Sequence, residues 1–337
     1  MVVAGRTTGR QNMTEQLSTG YDVVVVGGGA AGLEGALMLA RSRRSVLVID
    51  AGDPRNAPAE GVHGFLSRDG IAPADLTRIG ADEVRRYGGQ VVDGTVADVR
   101  RGEAGFTVLL TDGRTVPARR VLVTTGLTDE LPEVPGVRER WGRDVLHCPY
   151  CHGWEISDEP VGVLGTGPMS VHQALMFRQW TDDVTLFLHT APEPTDEERE
   201  KLAARGVRVV AGRVAELVID DDRLAGVRLE DGTVVNRRAL VVAPRFVARV
   251  DALTSLGIET ELEPMSGGRF VPADWSGLTK VPGLWVAGNV TDVKAQVLAA
   301  AASAATAAVA INNDLITEDT EAAVAERRAQ NEKGTRE

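Results

Sequence analysis

The chain has 337 residues, with 37 Lys and Arg against 48 Asp and Glu, for a formal net charge of −11. A surface of that sign repels phosphate backbones and anionic lipid, which argues against nucleic-acid and membrane partners and leaves small molecules or proteins. No apolar run reaches the ~20 residues that span a bilayer, and the length suits about two domains of ~150 residues each.

Residues 1–19 are polar and lack the apolar centre of a secretory signal, so they read as a disordered leader on a cytoplasmic protein. The stretch "YDVVVVGGGAAGLEGALMLARSRRSVLVID" (21–50) then runs as apolar strand, glycine turn, amphipathic helix and second apolar strand. Gly27, Gly29 and Gly32 stand at G-x-G-x-x-G spacing between strand and helix, where a tight turn, close approach of a diphosphate and close helix packing each require a missing side chain. Asp50 closes the second strand, at the place where a carboxylate accepts from ribose hydroxyls. His63, in "GVHGFLSRDG", is expected to be a structural histidine. Alternating strands around Asp112–Gly113 form a hairpin, followed by a separate strand and loop in "RRVLVTTGLTDELPEVPG".

Both cysteines of the chain fall in "LHCPYCHGWEIS" (146–157), flanked by His147 and His152. In a reducing compartment such a pair cycles or binds metal rather than serving as a permanent staple. The attacking sulfur in thiol chemistry must be a thiolate, and a neighbouring imidazole takes and returns the proton near neutral pH. His152 is the first candidate for that base and His147 the second. Two thiolates and two imidazoles also form a set for zinc, although adjacent residues rarely ligate one ion together. For Trp141, Trp154 and Phe246, core packing is the default and an apolar substrate pocket the alternative.

A second strand–turn–helix–strand unit spans 159–190, with Gly165 and Gly167 followed by Ser170 in the third position. Pro168 removes one N–H from this turn, and the strand over 184–188 ends in His189, Thr190 and Ala191, with neither carboxylate nor arginine pair for a 2′-group. His172 on its helix reads as structural. Another hairpin turns at Asp231–Gly232, and 281–315 reads as strand, Gly-Asn turn and a long alanine-rich helix, before a charged tail over 316–337.

Taken together, "GGGAAG", "TTG" at 124–126, "CPYC" shortly before "GVLGTG", and the late "WVAGNVTD" resemble the low-molecular-weight thioredoxin reductases and their FAD-dependent dithiol-oxidase relatives over about residues 20–315. The resemblance implies an α/β fold of two Rossmann-like, three-layer ββα nucleotide-binding domains, one inserted in the other. The FAD domain is built from 20–137 and 245–315, and a pyridine-nucleotide-type domain from 138–244 carries the thiols. It implies that Gly27, Gly29, Ala30, Ala31 and Gly32 hold the FAD diphosphate and Asp50 the adenosine ribose. Gly126, Gly288, Asn289 and Gln296 complete the cofactor site, with Asn289 standing where the family usually has Asp. By the same resemblance, Cys148 meets the substrate and Cys151 faces the flavin, and His63, read first as structural, has a place near the flavin or substrate face as its alternative.

Two departures bear on function: His152 stands where the reductases carry aspartate, and the "HRR" signature for NADPH is replaced by His189, Thr190 and Ala191. Both look like the gliotoxin- and holomycin-type dithiol oxidases, which oxidise a small dithiol through C-x-x-C-H and FAD to O2, without obligatory NADPH. Use of NADPH stays open. An NAD(P)H-dependent reductase of a thioredoxin-like protein and a non-catalytic flavin-bearing redox sensor remain as alternatives, and a homodimer is implied by resemblance alone.

Overall fold

The computed structural model describes residues 17–264 and 266–334, so most of the predicted leader lies outside the described residues. Leu17, at its end, packs against the first core.

Strand Tyr21–Val26 is apolar without alternation because both of its faces are covered, as in parallel sheets. It pairs in parallel with Val46–Asp50 on one side and Thr115–Val123 on the other, and Gln90–Asp93 extends the first edge. Leu284–Val286 joins the far half of Thr115–Val123, so residues distant in sequence complete one seven-stranded sheet. The expected hairpin forms between Gly105–Leu110 and Thr115–Val123. The separate strand expected after it is a correction: residues 115–123 are one strand, antiparallel to the hairpin partner in its first half and parallel to Tyr21–Val26 in its second.

Helices Ala30–Arg41 and Val297–Gly334 cover one face of this sheet. Their contact is close because it is made of small residues: a Cβ added to Gly35 would stand 3.5 Å from Ala304 and 2.6 Å from Leu122. The segment from Ile316 is continuous with this helix, and Glu318 and Asp319 tie it to Arg119, Arg120 and Arg44 of the sheet layer.

Residues 145–241 build a second unit on a five-stranded parallel sheet, ordered Arg208–Val210, Val184–Phe187, Val161–Leu164, Ala239–Val241, Val145–Leu146. A three-stranded antiparallel layer (Val214–Asp220, Arg223–Leu229, Val234–Asn236) packs on it, with Phe187 and Leu240 in the shared core. Two strands, Leu127–Glu130 and Arg245–Ala248, pair with each other where the chain passes from one unit to the other and back. The two-Rossmann α/β architecture expected from the sequence is the observed one.

Candidate active site at the junction of the two units

A cavity of about 1060 Å³ lies between the units, lined by the first glycine turn, the cysteine pair and the connecting strands. That is just above the ~300–1,000 Å³ typical of ligand pockets.

The glycine turn divides its labour. Gly27 has φ +103°, and a Cβ there would stand 2.6 Å from the Thr124 carbonyl oxygen. Gly32 faces the strand so closely that a Cβ would stand 1.9 Å from the Gly27 oxygen. Gly29, by contrast, has nothing within 4 Å of a Cβ and opens onto the cavity with Ala30 and Ala31. Asp50 accepts from the Gly28 N–H at 2.8 Å and lines the same wall. Gly126 and Gln296 are on the wall too, Gln296 just before the long helix, where its carbonyl accepts from Ala300. Asn289 spends its amide hydrogens on the Asp292 and Ala295 carbonyls, leaving Oδ1 as an acceptor at the cavity. Gly288 is buried beneath Ala31 and Ala300 at φ +73°, a packing position rather than a lining one.

Cys148 follows the edge strand Val145–Leu146 and caps a single helical turn, Pro149–His152. Proline suits the first helical position because the N–H it lacks would be unpaired there. The turn brings Cys148 and Cys151 to a Cα separation of 5.3 Å, and they form a disulfide. Both sulfurs are thus committed to each other, the arrangement of a redox pair. Gly153 ends the turn against Trp180, whose ring a Cβ would meet at 2.7 Å.

The two imidazoles differ. His147 Nδ1 donates to the Val242 carbonyl at 3.0 Å, which fixes the tautomer and leaves Nε2 as the lone-pair nitrogen. Burial pushes its pKa below the ordinary histidine value; the carbonyl bond opposes this, and the nearby Arg55 adds to it. Arg55 is itself held bidentately by Asp129 at 2.7 and 2.8 Å and stands over the Phe246 ring, which meets His147 edge-on. His152 Nε2 is buried with no hydrogen-bond partner in the protein, and burial also lowers its pKa, against the pull of Glu155. Both imidazoles are therefore held toward the neutral, base-competent form.

Several side chains are not where the sequence put them. His172, read as structural, lines the cavity, and so does His63, in keeping with the second of its two readings. Trp154, read as core, is 81 % exposed, because Trp180 occupies the inner position against the turn. Trp141 and Phe246 line the cavity while also packing inward. Arg55, Asp129 and Glu155 escaped the sequence reading altogether. For Glu155 a signal existed, since it is a carboxylate only three residues after His152.

The second glycine turn is built differently from the first. Ser170 Oγ accepts from the N–H groups of Thr166 and Gly167 at 3.2 and 3.3 Å and donates to the Gly167 carbonyl. The hydroxyl thus covers donors that a diphosphate uses in such a turn. In the cavity beside it, His189 Nδ1 accepts from Val214 N–H, and both arginines of the wall are paired, Arg213 with Glu230 and Arg245 with Glu130.

The sequence profile of the pyridine nucleotide-disulphide oxidoreductases matches residues 21–308. The chain belongs to that family. It is 30 % identical to thioredoxin reductase sirT of Leptosphaeria maculans over 87 % of this chain and 93 % of that one. It is 24 % identical to thioredoxin reductase of Aquifex aeolicus over 90 % and 96 % of the two chains. Among solved structures, HlmI superposes with a TM-score of 0.85 at 51 % identity, covering 91 % of this chain and 96 % of that one. The chain is an enzyme of the thioredoxin reductase-like type, whose cofactor is FAD. The cavity fits that group: the open cradle at Gly29 and the acceptors Asp50 and Asn289 suit a diphosphate and its flanking hydroxyls. Among the described residues no helix is long and apolar enough to cross a membrane.

Proposed function

We propose that this enzyme is a dithiol oxidase that forms a disulfide in a small-molecule dithiol. The carrying observation is that the Cys148–Cys151 disulfide, two imidazoles held toward neutrality and the first glycine cradle line one cavity, and that the second glycine turn, on the same cavity, has two of its N–H groups taken by its own Ser170. In this reading Gly27, Gly29, Ala30, Ala31 and Gly32 seat the diphosphate of FAD, Asp50 takes the ribose, and Gly126, Asn289 and Gln296 line the remainder, with Gly288 holding the helices beneath it. FAD held there would supply a two-electron acceptor for the cysteine dithiol, with O2 as the final oxidant.

The protein's own part is thiol–disulfide exchange. A substrate thiolate attacks Cys148 Sγ, the Cys148–Cys151 bond breaks, and Cys151 leaves as thiolate. His152 takes the proton of the second substrate thiol. That sulfur attacks the first substrate sulfur, closing the product disulfide and releasing Cys148. The dithiol is oxidised by two electrons and the cysteine pair reduced by two. His147, with its tautomer fixed by Val242, is the second base of the site.

The names of the curated relatives support a second reading, reduction of a thioredoxin-like protein by NAD(P)H. Anaerobic mixing of the yellow holoprotein with dithiothreitol or with NADPH separates the two. Bleaching by dithiothreitol alone, lost in Cys151→Ser, is the expected result; fast bleaching by micromolar NADPH and none by dithiol would replace it with the reductase. The reading also carries a homodimer, checked by sedimentation, and a cytoplasmic location, checked by fractionation.

A further inference from the structure

Trp180 is not on the cavity wall, yet it is the ring against which the redox turn is built. It stands in the loop between helix Ser170–Phe177 and strand Val184–Phe187 of the second unit. Its ring meets Tyr150, which lies between the two cysteines in the chain, edge-to-face at 5.7 Å between centroids. It also closes on the end of the turn, where a Cβ on Gly153 would stand 2.7 Å from the indole. On its other side the indole meets Phe177, fully buried in the core of this unit, at 6.1 Å. Two hydrogen bonds fasten the segment after the turn to the same loop: Asp158 N–H donates to the Trp180 carbonyl at 3.0 Å, and Thr181 Oγ1 donates to the Glu159 carbonyl at 2.7 Å. Tyr150 is 68 % exposed, so the indole is its anchor to the body of the unit.

We propose that Trp180 is a positioning residue that holds the turn in the shape in which Cys148 and Cys151 are bonded, and so biases the pair toward its disulfide form. The disulfide closes a ring across a sequence separation of three, and that ring exists only while Pro149 and Tyr150 keep the turn. Reduction removes the cross-link, and the dithiol tolerates an opened turn in which Tyr150 leaves the indole. A contact made more fully in one of two states shifts their equilibrium by the difference between them. In the oxidase cycle the pair takes two electrons from a dithiol and gives them up again, and a bias toward the disulfide favours the second half. The inference rests on the dithiol-oxidase reading for the cycling of the pair and deepens it by naming what sets the balance of that cycle. Trp180 acts through Tyr150 and Gly153 on the sulfurs, not on substrate.

The test equilibrates the holoprotein anaerobically with graded ratios of dithiothreitol to its cyclic disulfide, then quenches with acid and counts Cys148 and Cys151 thiols by alkylation and mass. Each dithiothreitol oxidised delivers two electrons and two protons to the pair, so the ratio at half-reduction is an equilibrium constant. In Trp180→Leu that ratio should fall about tenfold, which is about 30 mV for a two-electron couple. Trp180→Phe keeps an aromatic ring behind Tyr150 and should stay within about threefold of wild type. Tyr150→Ala should lower the ratio by about threefold or more, and because it removes the same contact, the double variant should shift little further than Trp180→Leu alone. Tyr150→Ala changes an exposed residue and decides the matter if Trp180→Leu does not fold. A Trp180 that only supports the fold would lower Tm in oxidised and reduced protein alike and leave the ratio unmoved. A ratio unchanged in both Trp180→Leu and Tyr150→Ala, or displaced toward easier oxidation, overturns the inference, as does a wild-type pair that dithiothreitol does not reduce. The ratio is read from cysteine thiols and does not depend on whether dithiol or NADPH bleaches the flavin, so this inference and the oxidase reading fail separately.

Discussion

Replacing Gly29 with Val tests whether the first turn is a cofactor cradle or only a compact loop. The backbone there is extended, at φ −72° and ψ −174°, so any residue adopts it, and an added Cβ meets nothing within 4 Å. The fold should therefore lose only the difference between Gly and Val at a helix N-cap, about 1 kcal/mol. For a chain of this size that lowers Tm by a few degrees, on the order of 2–4 °C. The added methyls fill the space in front of the helix N-terminus, where a diphosphate accepts from free N–H groups. Losing two such charge-assisted bonds at about 1.5–3 kcal/mol each removes ~3–6 kcal/mol, or about 10²–10⁴ in Kd. The assay is the ratio of absorbance near the flavin maximum to protein after gel filtration, with Tm of the cofactor-free protein measured in parallel. Gly32→Ala is the contrasting variant, because its Cβ would stand 1.9 Å from the Gly27 oxygen and the turn must break to admit it. Full flavin content in Gly29→Val, or a fall in apo Tm as large as that of Gly32→Ala, would refute the division of roles within the motif.

Burial disfavours the His152 cation, so the acid limb of the single-turnover rate should have its midpoint below the ~6.5 of free imidazole. His152→Ala should abolish that limb, and a limb unchanged in the variant removes His152 from the chemistry. The same depressed value makes the contribution of this group to stability present above about pH 6.5 and lost as pH falls through the folded value; urea midpoints across this range report it. Arg140 is 4 % exposed and holds Asp144 and Asp222 at 2.7–2.8 Å. Arg140→Leu strands the mostly buried Asp144 but leaves Asp222 in water, so a loss near 3 kcal/mol is expected from urea unfolding. Thr195→Ala removes the capping box of helix Asp196–Ala204 and should cost about 1 kcal/mol in the same measurement.

The first βαβ unit was legible because its signals are local: an unbroken apolar run, three glycines at fixed spacing and a carboxylate at the next strand end. The disulfide partners were legible for the same reason, since three positions of separation and a proline bring their Cα atoms within 5.3 Å without help from the rest of the chain. What escaped was set by packing between distant segments. His63 read as structural because nothing near it in sequence says that Glu155 will come within 3.3 Å; that distance is fixed by how the two sheets meet. Trp154 read as core on size alone, and it lost the inner position to Trp180, which fits against Gly153 because that residue has no side chain. Ser170 stood in the sequence only as the third position of the second motif, and nothing there showed that its hydroxyl takes two of the turn's own N–H groups.

That last detail orders the chemistry. A nucleotide-binding turn works by leaving N–H groups free at a helix start, and the two turns of this chain differ at just that point. At Gly29 and Gly167 alike an added Cβ meets nothing within 4 Å, but at Gly167 the Ser170 side chain already accepts from the backbone N–H. The second unit nevertheless keeps all five parallel strands, and its edge strand Val145–Leu146 delivers Cys148 to the cavity. On the dithiol-oxidase reading this unit is retained as the mount for the redox turn, with electrons entering through the cysteines instead of through a nicotinamide. It follows that restoring an arginine at Thr190 should leave dithiol-driven bleaching unchanged and confer no rapid NADPH bleaching while Ser170 still covers the turn. Rapid NADPH bleaching in Thr190→Arg would show that the Ser170 hydroxyl yields to a diphosphate, and the contrast between the two turns would lose its force.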